Sequence, residues 1–254
     1  NFLLDESALR AIVDWAEIPQ GAEVLEVGPG LGSLTRYLAL KAGRVVAVEL
    51  DKDLLAPLRE VLGDVDNVEV VQGDILELNP MDLLHREGYL VVANIPYYIT
   101  STLIRHLLEA RLKPERLVLT VQREVAERIC ARPGEMSLLA LSVQVYGKAK
   151  VVGRIPAGAF YPAPAVDSGV VRIDLYSEPL IAGEQLERFF ALIRAGFSQR
   201  RKTLRNSLAG GMGWTVEEAA LLLGRAKIDA KRRAETVSME EWGRLVEFCF
   251  RREG

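Results

Sequence analysis

This sequence of 254 residues has few cysteines, no long apolar run and no excess of basic charge. The two cysteines, Cys130 and Cys249, lie far apart with no paired metal-ligand spacing, so we expect reduced thiols and a cytoplasmic protein. No uninterrupted apolar run approaches the roughly 20 residues that cross a bilayer, and no secretory leader opens the chain. The two histidines, His85 and His106, show no ligand spacing. These features predict neither membrane association nor a metal site.

The charge balance excludes a protein that wraps nucleic acid through overall basicity, because the net charge is −3. The charge is unevenly distributed along the chain. Residues 1–176 carry 18 basic and 24 acidic side chains, whereas residues 177–254 carry 14 basic and 11 acidic ones. Any contact with phosphate groups is therefore expected in the C-terminal part.

Short apolar runs alternate with helical patterns over residues 1–176. The runs are rich in valine and mostly continuous, which is typical of strands buried on both faces. They span 23–27, 44–49, 68–72, 89–93, 116–121, 150–155 and 169–175. This alternation predicts an α/β domain with a doubly wound, mostly parallel, seven-stranded sheet. Pro57 should kink the predicted helix 52–62 or delay its start. Residues 177–254 show only helical patterns, which predicts a small all-helical domain whose last helix opens with a Ser238–Glu241 capping box.

Three successive strand ends carry residues suited to a nucleoside-containing ligand. Gly28 and Gly30 form a glycine-rich turn after the first predicted strand, Glu49 ends the second, and Asp74 follows the third. Glycines let a ligand approach the backbone, and an acidic residue at a second strand end can accept hydrogen bonds from ribose hydroxyls. Asp74 alone would be assigned to a turn or a helix cap. These residues leave both NAD and S-adenosylmethionine open, although the third glycine comes one residue early for a dinucleotide fingerprint.

The fourth predicted strand ends in Asn94-Ile95-Pro96-Tyr97. An adenine amino group is a poor nucleophile because its lone pair is delocalised into the ring. The Asn94 side-chain oxygen and a neighbouring carbonyl can accept its N–H bonds and direct the lone pair towards a methyl group, while Tyr97 can stack on the base. The alternative is a plain strand-end turn with a half-buried aromatic residue. The position beside the candidate cofactor residues favours transfer of a methyl group to a base.

Five stretches make the chain resemble the ribosomal RNA adenine dimethyltransferases, in particular the bacterial small-subunit branch that acts on two adjacent adenines near the 3′ end. They are residues 1–3, 26–31, 94–97, 160–168 and 197–208, and the resemblance extends over essentially the whole chain. It implies a Rossmann-like methyltransferase domain over 1–176 and a helical RNA-binding domain over 177–254. It also implies S-adenosylmethionine as cofactor, ribosomal RNA in a pre-ribosomal particle as partner, and a monomer.

The resemblance also implies roles for individual residues. The cofactor would contact Asn1, Leu3, Gly28, Glu49, Asp74 and Asn94, with Gly30 in the same turn. Asn94 and Tyr97 would hold the target base, and Phe160 would help to stack it, although Phe160 could equally fill the core. The family's basic leading segment and the glutamine before Asn1 are absent from this sequence, so the N-terminal lid is expected to be incomplete or disordered.

A basic cluster, Arg200, Arg201, Lys202 and Arg205, opens a predicted helix in the net-positive C-terminal part. Such a run is commonly a solvated face, but its location favours contact with RNA phosphates, and Arg232 and Arg233 could extend it.

The favoured activity is metal-free, direct dimethylation of small-subunit ribosomal RNA, with a role in subunit maturation. A large-subunit methyltransferase conferring macrolide resistance, a DNA adenine methyltransferase and a non-catalytic assembly factor remain alternatives.

Overall fold

The computed structural model describes residues 1–96, 99–181 and 183–250. Within these ranges the chain forms two compact units, one built from residues 1–127 and 148–175 and the other from residues 128–147 and 176–250. The sequence placed residues 128–147 in the first domain. In the structure they group with the C-terminal residues because the backbone N–H groups of Gly134 and Met136 both donate to the Glu235 carbonyl, and Tyr176 donates to the Tyr146 carbonyl.

The described residues of the first unit form nine strands, five whole helices and most of a sixth helix. The strands are β1 (Phe2–Leu3), β2 (Glu23–Val27), β3 (Arg44–Glu49), β4 (Val68–Gln72), β5 (Leu90–Asn94), β6 (Arg116–Gln122), β7 (Gly147–Ile155), β8 (Phe160–Tyr161) and β9 (Ser168–Leu175). The helices are α1 (Glu6–Ala16), α2 (Ser33–Ala39), α3 (Leu55–Leu62), α4 (Pro80–Leu83), α5 (Thr100–Glu109) and α6 (Arg123–Ile129).

Seven of these strands form one sheet in the order β4-β3-β2-β5-β6-β9-β7. Strands β4, β3, β2, β5 and β6 run parallel to one another, and β9 runs antiparallel to β6. The predicted doubly wound, mostly parallel sheet is confirmed. The strand order reverses direction between β2 and β5, and such a switch point leaves a crevice beyond the carboxyl ends of the two strands.

Burial explains why the central strands are nearly continuous in apolar residues. Strands β2, β3 and β6 are almost entirely buried, as expected for a sheet covered on both faces. Strands β4 and β7 are partly exposed along their length, so the expectation of two buried faces is wrong for these two runs. The reason is their position at the two edges of the sheet.

A proline delays the third helix as predicted. Residues Lys52–Leu54 form a short 3-10 turn, and α3 begins only at Leu55. Pro57 therefore lies in the first helical turn, where a missing backbone N–H costs no hydrogen bond.

A two-stranded antiparallel ribbon joins the start of the chain to residue 160, and the sequence did not predict it. Leu3 pairs with Phe160 and Phe2 pairs with Tyr161, while the backbone N–H of Leu4 donates to the Ala159 carbonyl at 2.9 Å. Two-residue strands are too short for a periodic pattern to reveal them. The ribbon sets the position of the N-terminal residues relative to Phe160.

The second unit is helical over its described residues, as predicted for the C-terminal part. Its helices are α7 (Leu138–Gln144), α8 (Gly183–Phe197), α9 (Leu204–Met212), α10 (Val216–Arg225) and α11 (Met239–Phe250). The Ser238–Glu241 capping box is confirmed, because each residue's backbone N–H donates to the other's side chain. Trp242 and Phe189 are fully buried in this unit. None of the helices in the described parts of either unit combines the length and the apolar character that crossing a bilayer requires.

Candidate active site

A cavity of about 290 Å³ lies at the carboxyl ends of β2, β3 and β5, at the switch point of the sheet. Its volume is close to the lower end of the roughly 300–1,000 Å³ range of small-molecule sites. The lining consists of Asn1, Phe2, Leu3, Leu9, Glu26, Gly28, Pro29, Gly30, Leu31, Ser33, Leu34, Glu49, Leu54, Asn94, Ile95, Pro96 and Phe160. Residues far apart in the chain thus meet at one edge of the sheet.

The glycine-rich turn gives the cavity an exposed stretch of backbone. Gly28 and Gly30 have φ angles of +70° and +59°, which disfavour residues with a side chain. A Cβ added at Gly28 would meet nothing within 4 Å, whereas one added at Gly30 would come within 3.0 Å of the Phe2 ring. The backbone at Gly28 therefore faces open space that a ligand can approach.

Glu49 is buried at the end of β3 and is held by the backbone on both sides. Its Oε2 atom accepts from the Gly30 N–H at 3.0 Å, and its Oε1 atom accepts from the Asp51 N–H at 2.9 Å. These two bonds orient the carboxylate and tie the end of β3 to the glycine-rich turn. An ionised carboxylate has about four lone-pair sites, so each oxygen can still accept a hydroxyl of a ligand.

Glu26, inside β2, also lines the cavity and is only 1% exposed. Among the described residues its Oε2 atom has no hydrogen-bond partner. The Thr35 hydroxyl lies nearby without reaching hydrogen-bonding geometry to it. Burial is the main effect on this carboxyl and raises its pKa; Thr35 opposes the rise and the Glu49 carboxylate adds to it, which brings the pKa of Glu26 to about 8.

Asn94 ends β5, and its half-buried side chain lines the cavity. The pairing of β5 with β6 places Asn94 opposite Thr120, and the backbone N–H of Ile95 donates to the Thr120 carbonyl at 3.2 Å. Ile95 is buried, so the turn that follows Asn94 is anchored in the core. Tyr97, the predicted stacking residue, lies outside the described residues.

Phe160 belongs to the core and to the cavity at once. It is 5% exposed, packs in the cluster that includes Leu3, Leu9 and Val92, and also lines the cavity. The two interpretations of this residue are therefore compatible. Phe2 and Leu3 form β1 and, with Asn1, line the same cavity.

Asp74 differs from the other predicted cofactor residues because it is not among the residues that line the cavity. It follows β4, its Oδ1 atom accepts from the Leu76 N–H at 2.9 Å, and its carbonyl accepts from Glu77 and Leu78. One oxygen of Asp74 thus stabilises a turn.

Two lining residues with distinctive chemistry received no role from the sequence. Glu26 was visible as a charged residue inside a buried strand, two residues before Gly28. Phe2 was visible only as part of a motif, because its contact with Gly30 depends on the β1–β8 ribbon.

The basic cluster of the second unit lies at the start of α9. Arg200, Arg201 and Lys202 are exposed in the turn before this helix, whereas Arg205 is partly buried in its first turn. Among the described residues, the Nε atom of Arg205 has no hydrogen-bond partner. Arg232 does not extend the cluster as a free cation, because its guanidinium makes two hydrogen bonds to the Glu241 carboxylate at 2.5 and 3.0 Å.

The chemistry of the cavity fits S-adenosylmethionine better than a dinucleotide. Glu26 and Glu49 contribute acidic groups, and the lining contains no basic side chain among the described residues. Such a lining disfavours the pyrophosphate of a dinucleotide and favours a ligand with positive charge. The Glu49 carboxylate can accept ribose hydroxyls, and the Glu26 carboxyl, whose Oε2 atom has no hydrogen-bond partner among the described residues, can face a cationic group.

Comparison with known proteins gives consistent results. A family model for ribosomal RNA adenine dimethylase matches residues 1–250. Ribosomal RNA small subunit methyltransferase A of Dehalococcoides mccartyi strain CBDB1 is 47% identical over 246 residues, covering 96% of this chain and 84% of that protein. The solved structure of the 23S rRNA methyltransferase ErmE is 31% identical, with a TM-score of 0.80 over 98% of this chain and 99% of that one. A dimethyladenosine transferase from Plasmodium falciparum, 24% identical, has the same fold, with a TM-score of 0.84 over 98% of each chain.

The family match extends over both units, and the fold and the cavity lining agree with it. The chain belongs to the ribosomal RNA adenine dimethylase family.

Proposed function

We propose that the protein transfers methyl groups from S-adenosylmethionine to the exocyclic amines of two adjacent adenines near the 3′ end of small-subunit ribosomal RNA. We place this reaction in the cytoplasm, on a pre-ribosomal particle, with the protein acting as a monomer during small-subunit maturation. One observation carries the proposal. Strand β5 brings the Asn94 amide into the same cavity as Glu49 and the glycine-rich turn.

The residues at the ends of β2 and β3 would hold the cofactor. Glu49 would accept the ribose hydroxyls, and the open backbone at Gly28 would allow close approach. Asn1, Leu3 and Gly30 would complete this contact from the ribbon and the turn, and the second oxygen of Asp74 would accept the adenine amino group. When bound, S-adenosylmethionine supplies a methyl group on a sulfonium, which is already an activated leaving group.

Asn94 would position the nucleophile. Its side-chain oxygen would accept one N–H of the target amine and align the nitrogen lone pair with the incoming methyl group. Because the leaving group is activated, positioning of this kind can supply much of the catalysis without a covalent enzyme intermediate. Phe160 would contact the base from the cavity wall, and Tyr97 would stack on it. The target adenine must leave any base stack to enter the cavity.

The exposed part of the basic cluster, Arg200, Arg201 and Lys202, would contact RNA phosphates, with Arg205 at the edge of this surface. Phosphate contacts set the position and the affinity of an RNA, whereas the cavity selects the base. The net positive charge of residues 177–254 supports this division of roles.

The choice of ribosomal subunit rests on sequence similarity rather than on fold. The chain superposes on the 23S enzyme with a TM-score of 0.80, so the architecture serves both substrates. Its identity to the small-subunit enzyme is 47%, compared with 31% to the 23S enzyme. The higher identity favours the small subunit.

The test is incubation with methyl-labelled S-adenosylmethionine and either unmethylated small subunits or large subunits, followed by mapping of the label. We expect label on the amino groups of two adjacent adenines near the 3′ end of the small-subunit RNA. Label confined to large subunits would support the large-subunit alternative, and binding of small subunits without transfer would support an assembly factor.

A further inference from the structure

The buried carboxyl of Glu26 is an unusual feature of the cavity. A buried acidic side chain is normally paired with a cation or hydrogen-bonded on each oxygen. Glu26 is 1% exposed, lines the cavity, and its Oε2 atom has no partner among the described residues. Among the described residues no cation is paired with Glu26, and the nearby Thr35 hydroxyl is the group that favours its charged form.

A neighbouring carboxylate makes the charged form of Glu26 still less favourable when the cavity holds no cation. The charged group that faces it is the Glu49 carboxylate on β3, and the neighbouring polar group on α2 is the Thr35 hydroxyl. Two adjacent carboxylates resist simultaneous ionisation. In the free protein Glu26 is consequently neutral at pH 7.

We infer that Glu26 is the residue through which the cavity responds to positive charge, and that it loses its proton when the cationic cofactor binds. This inference rests on the proposed use of S-adenosylmethionine. A sulfonium or an ammonium group next to Glu26 favours the carboxylate, and the proton passes to the solvent. The cavity then holds two carboxylates beside a cationic ligand, and an exchange for a less cationic product is linked to proton uptake.

The release of a proton on binding fixes the direction in which the cofactor affinity changes with pH. Below the pKa of free Glu26, binding of the cationic cofactor must displace a proton, so the affinity increases as the pH increases. The dissociation constant should fall by up to about tenfold per pH unit between pH 6 and the pKa near 8, and should level off above it. A ligand without differential interaction with the two protonation states would show no such dependence.

The experiment is calorimetric titration of S-adenosylmethionine into the protein in buffers of different ionisation enthalpy, which counts the protons released on binding. The amino group of the ligand titrates in the same range as other α-amino groups, so the readout is the difference between wild type and Glu26→Gln. At pH 7 roughly nine in ten Glu26 side chains carry a proton, so we expect about one more proton released by the wild type. The difference should disappear above pH 9.

A matched control is available on the same strand. Glu23 is also a buried glutamate of β2, but it is paired with Arg44 and lies outside the cavity lining. Glu23→Gln should release as many protons as the wild type on cofactor binding. S-adenosylhomocysteine, which lacks the sulfonium charge, serves as a second ligand. Proton release with both ligands places the ammonium next to Glu26, and release with S-adenosylmethionine alone places the sulfonium there.

Equal proton release by the wild type and Glu26→Gln at pH 7 would overturn the inference while leaving the proposed cofactor intact. Absence of any S-adenosylmethionine binding by the wild type would overturn both. The pH series on the wild-type dissociation constant does not depend on a variant that folds, and a constant affinity from pH 6 to pH 8 would also reject the inference.

Discussion

The two ends of strand β2 hold buried carboxyl groups in contrasting environments. At the amino end, Glu23 accepts from the Arg44 guanidinium at 2.7 Å and from the His85 N–H at 3.1 Å. At the carboxyl end, the Oε2 atom of Glu26 has no hydrogen-bond partner in the described part of the chain, and Glu49 is held by backbone N–H groups. Both ends bury acidic side chains, but within residues 1–96, 99–181 and 183–250 a cation is paired with the glutamate at the amino end alone.

The same contrast extends along the sheet. At the amino end of β6, Arg116 contacts Asp174 at 2.6 Å and the Ala16 carbonyl at 2.7 Å, and Arg172 contacts Asp174 and Glu17. These networks join α1 to the sheet and satisfy their charges internally. The carboxyl end keeps polar groups available for a ligand, which is how open α/β sheets separate stability from function.

The largest effect should come from breaking the network at the amino end. Arg44→Met leaves Glu23 buried without its cation, and we expect a loss of about 3 kcal/mol in the free energy of unfolding, the lower part of the range for losing one partner of a buried pair. Urea denaturation measures it. Arg10→Met, which removes an exposed pair with Glu6, should cost less than about 1 kcal/mol. An equal loss in both variants would contradict the contrast between paired and solvated charges.

At the carboxyl end, Asn94→Ala should affect the rate and leave stability nearly unchanged. The interaction of Asn94 with the target amine is strongest in the transition state, so we expect a decrease of about a hundredfold or more in the single-turnover rate at saturating S-adenosylmethionine. Binding of RNA should be retained.

The control for Asn94 is an asparagine at the other end of the sheet. The Asn67 side chain donates to the carbonyls of Ala39 and Ala42. Asn67→Ala should lower stability and leave the single-turnover rate of the folded protein unchanged. A wild-type rate for Asn94→Ala would reject the positioning role of Asn94.

Glu49→Ala should weaken S-adenosylmethionine binding by about 1.5–3 kcal/mol, the usual contribution of a hydrogen bond to a charged group. Calorimetry on the folded variant gives the dissociation constant. Glu69→Ala, on the neighbouring strand β4, removes an exposed partner of Arg44 and should not alter cofactor affinity. Equal affinities of the wild type and Glu49→Ala for S-adenosylmethionine would show that Glu49 does not hold the cofactor.

The two glutamates of β2 should respond to pH in opposite directions. Burial acts to raise the pKa of Glu23, but the hydrogen bonds from Arg44 and the His85 N–H outweigh it and leave this pKa lowered from 4.5. Its contribution to stability is therefore present above pH 4.5 and lost in acid. Glu26, with a raised pKa, stabilises the fold most below its ordinary value and loses that contribution as the pH rises towards about 8.

Between pH 5 and pH 8 the free energy of unfolding of the ligand-free wild type should thus decline through Glu26 by at most about 1.4 kcal/mol per pH unit. Glu26→Gln should flatten this decline, and Glu23→Gln should leave it in place. Denaturation at several pH values measures the slope. A wild-type slope that persists in Glu26→Gln would show that another group titrates in this range.

The smallest effect concerns the exposed cations of the second unit. If Arg200 and Arg201 contact phosphates, replacing each with Gln should reduce the salt dependence of RNA binding by about 0.7–0.9 units of logarithmic slope. Cofactor affinity should not change. Arg194→Gln, at an exposed position of α8 outside the cluster, is the matched control. If the variants show the same salt dependence of RNA binding as the wild type, the basic cluster is a solvated face without phosphate contacts.

Much of the sheet could be predicted because its signals are local. The runs 23–27, 44–49 and 68–72 match β2, β3 and β4 at both ends. Valine-rich segments bounded by glycine or charged residues leave little choice of where the strand begins and ends. The sequence did not distinguish edge strands from central strands, because burial depends on neighbours that are distant in the chain. The grouping of residues 128–147 with the C-terminal helices was missed for the same reason.

The same distinction between local signals and distant contacts applies to the candidate site. Gly28, Gly30, Glu49 and Asn94 could be selected as candidates because each lies at or just after the end of a buried strand, and parallel strands bring their carboxyl ends to one edge of a sheet. Asp74 follows a strand as well, yet its carboxylate caps a local turn and does not line the cavity. The ion pair of Arg232 was also not predicted, since Arg232 lies in a bend between helices and its partner Glu241 lies in α11.

The sequence by itself determined the strand and helix pattern, the motifs at the strand ends and the family to which they point, because these depend on residues close together in the chain. Only the tertiary structure decided which polar groups are satisfied and which are left facing the cavity. Glu23 and Glu26 lie three residues apart on one strand, and the sequence assigned neither of them a partner. One meets Arg44 and the other meets Glu49 and open space, so the same carboxyl group is a structural anion at one end of the sheet and a neutral acid at the other.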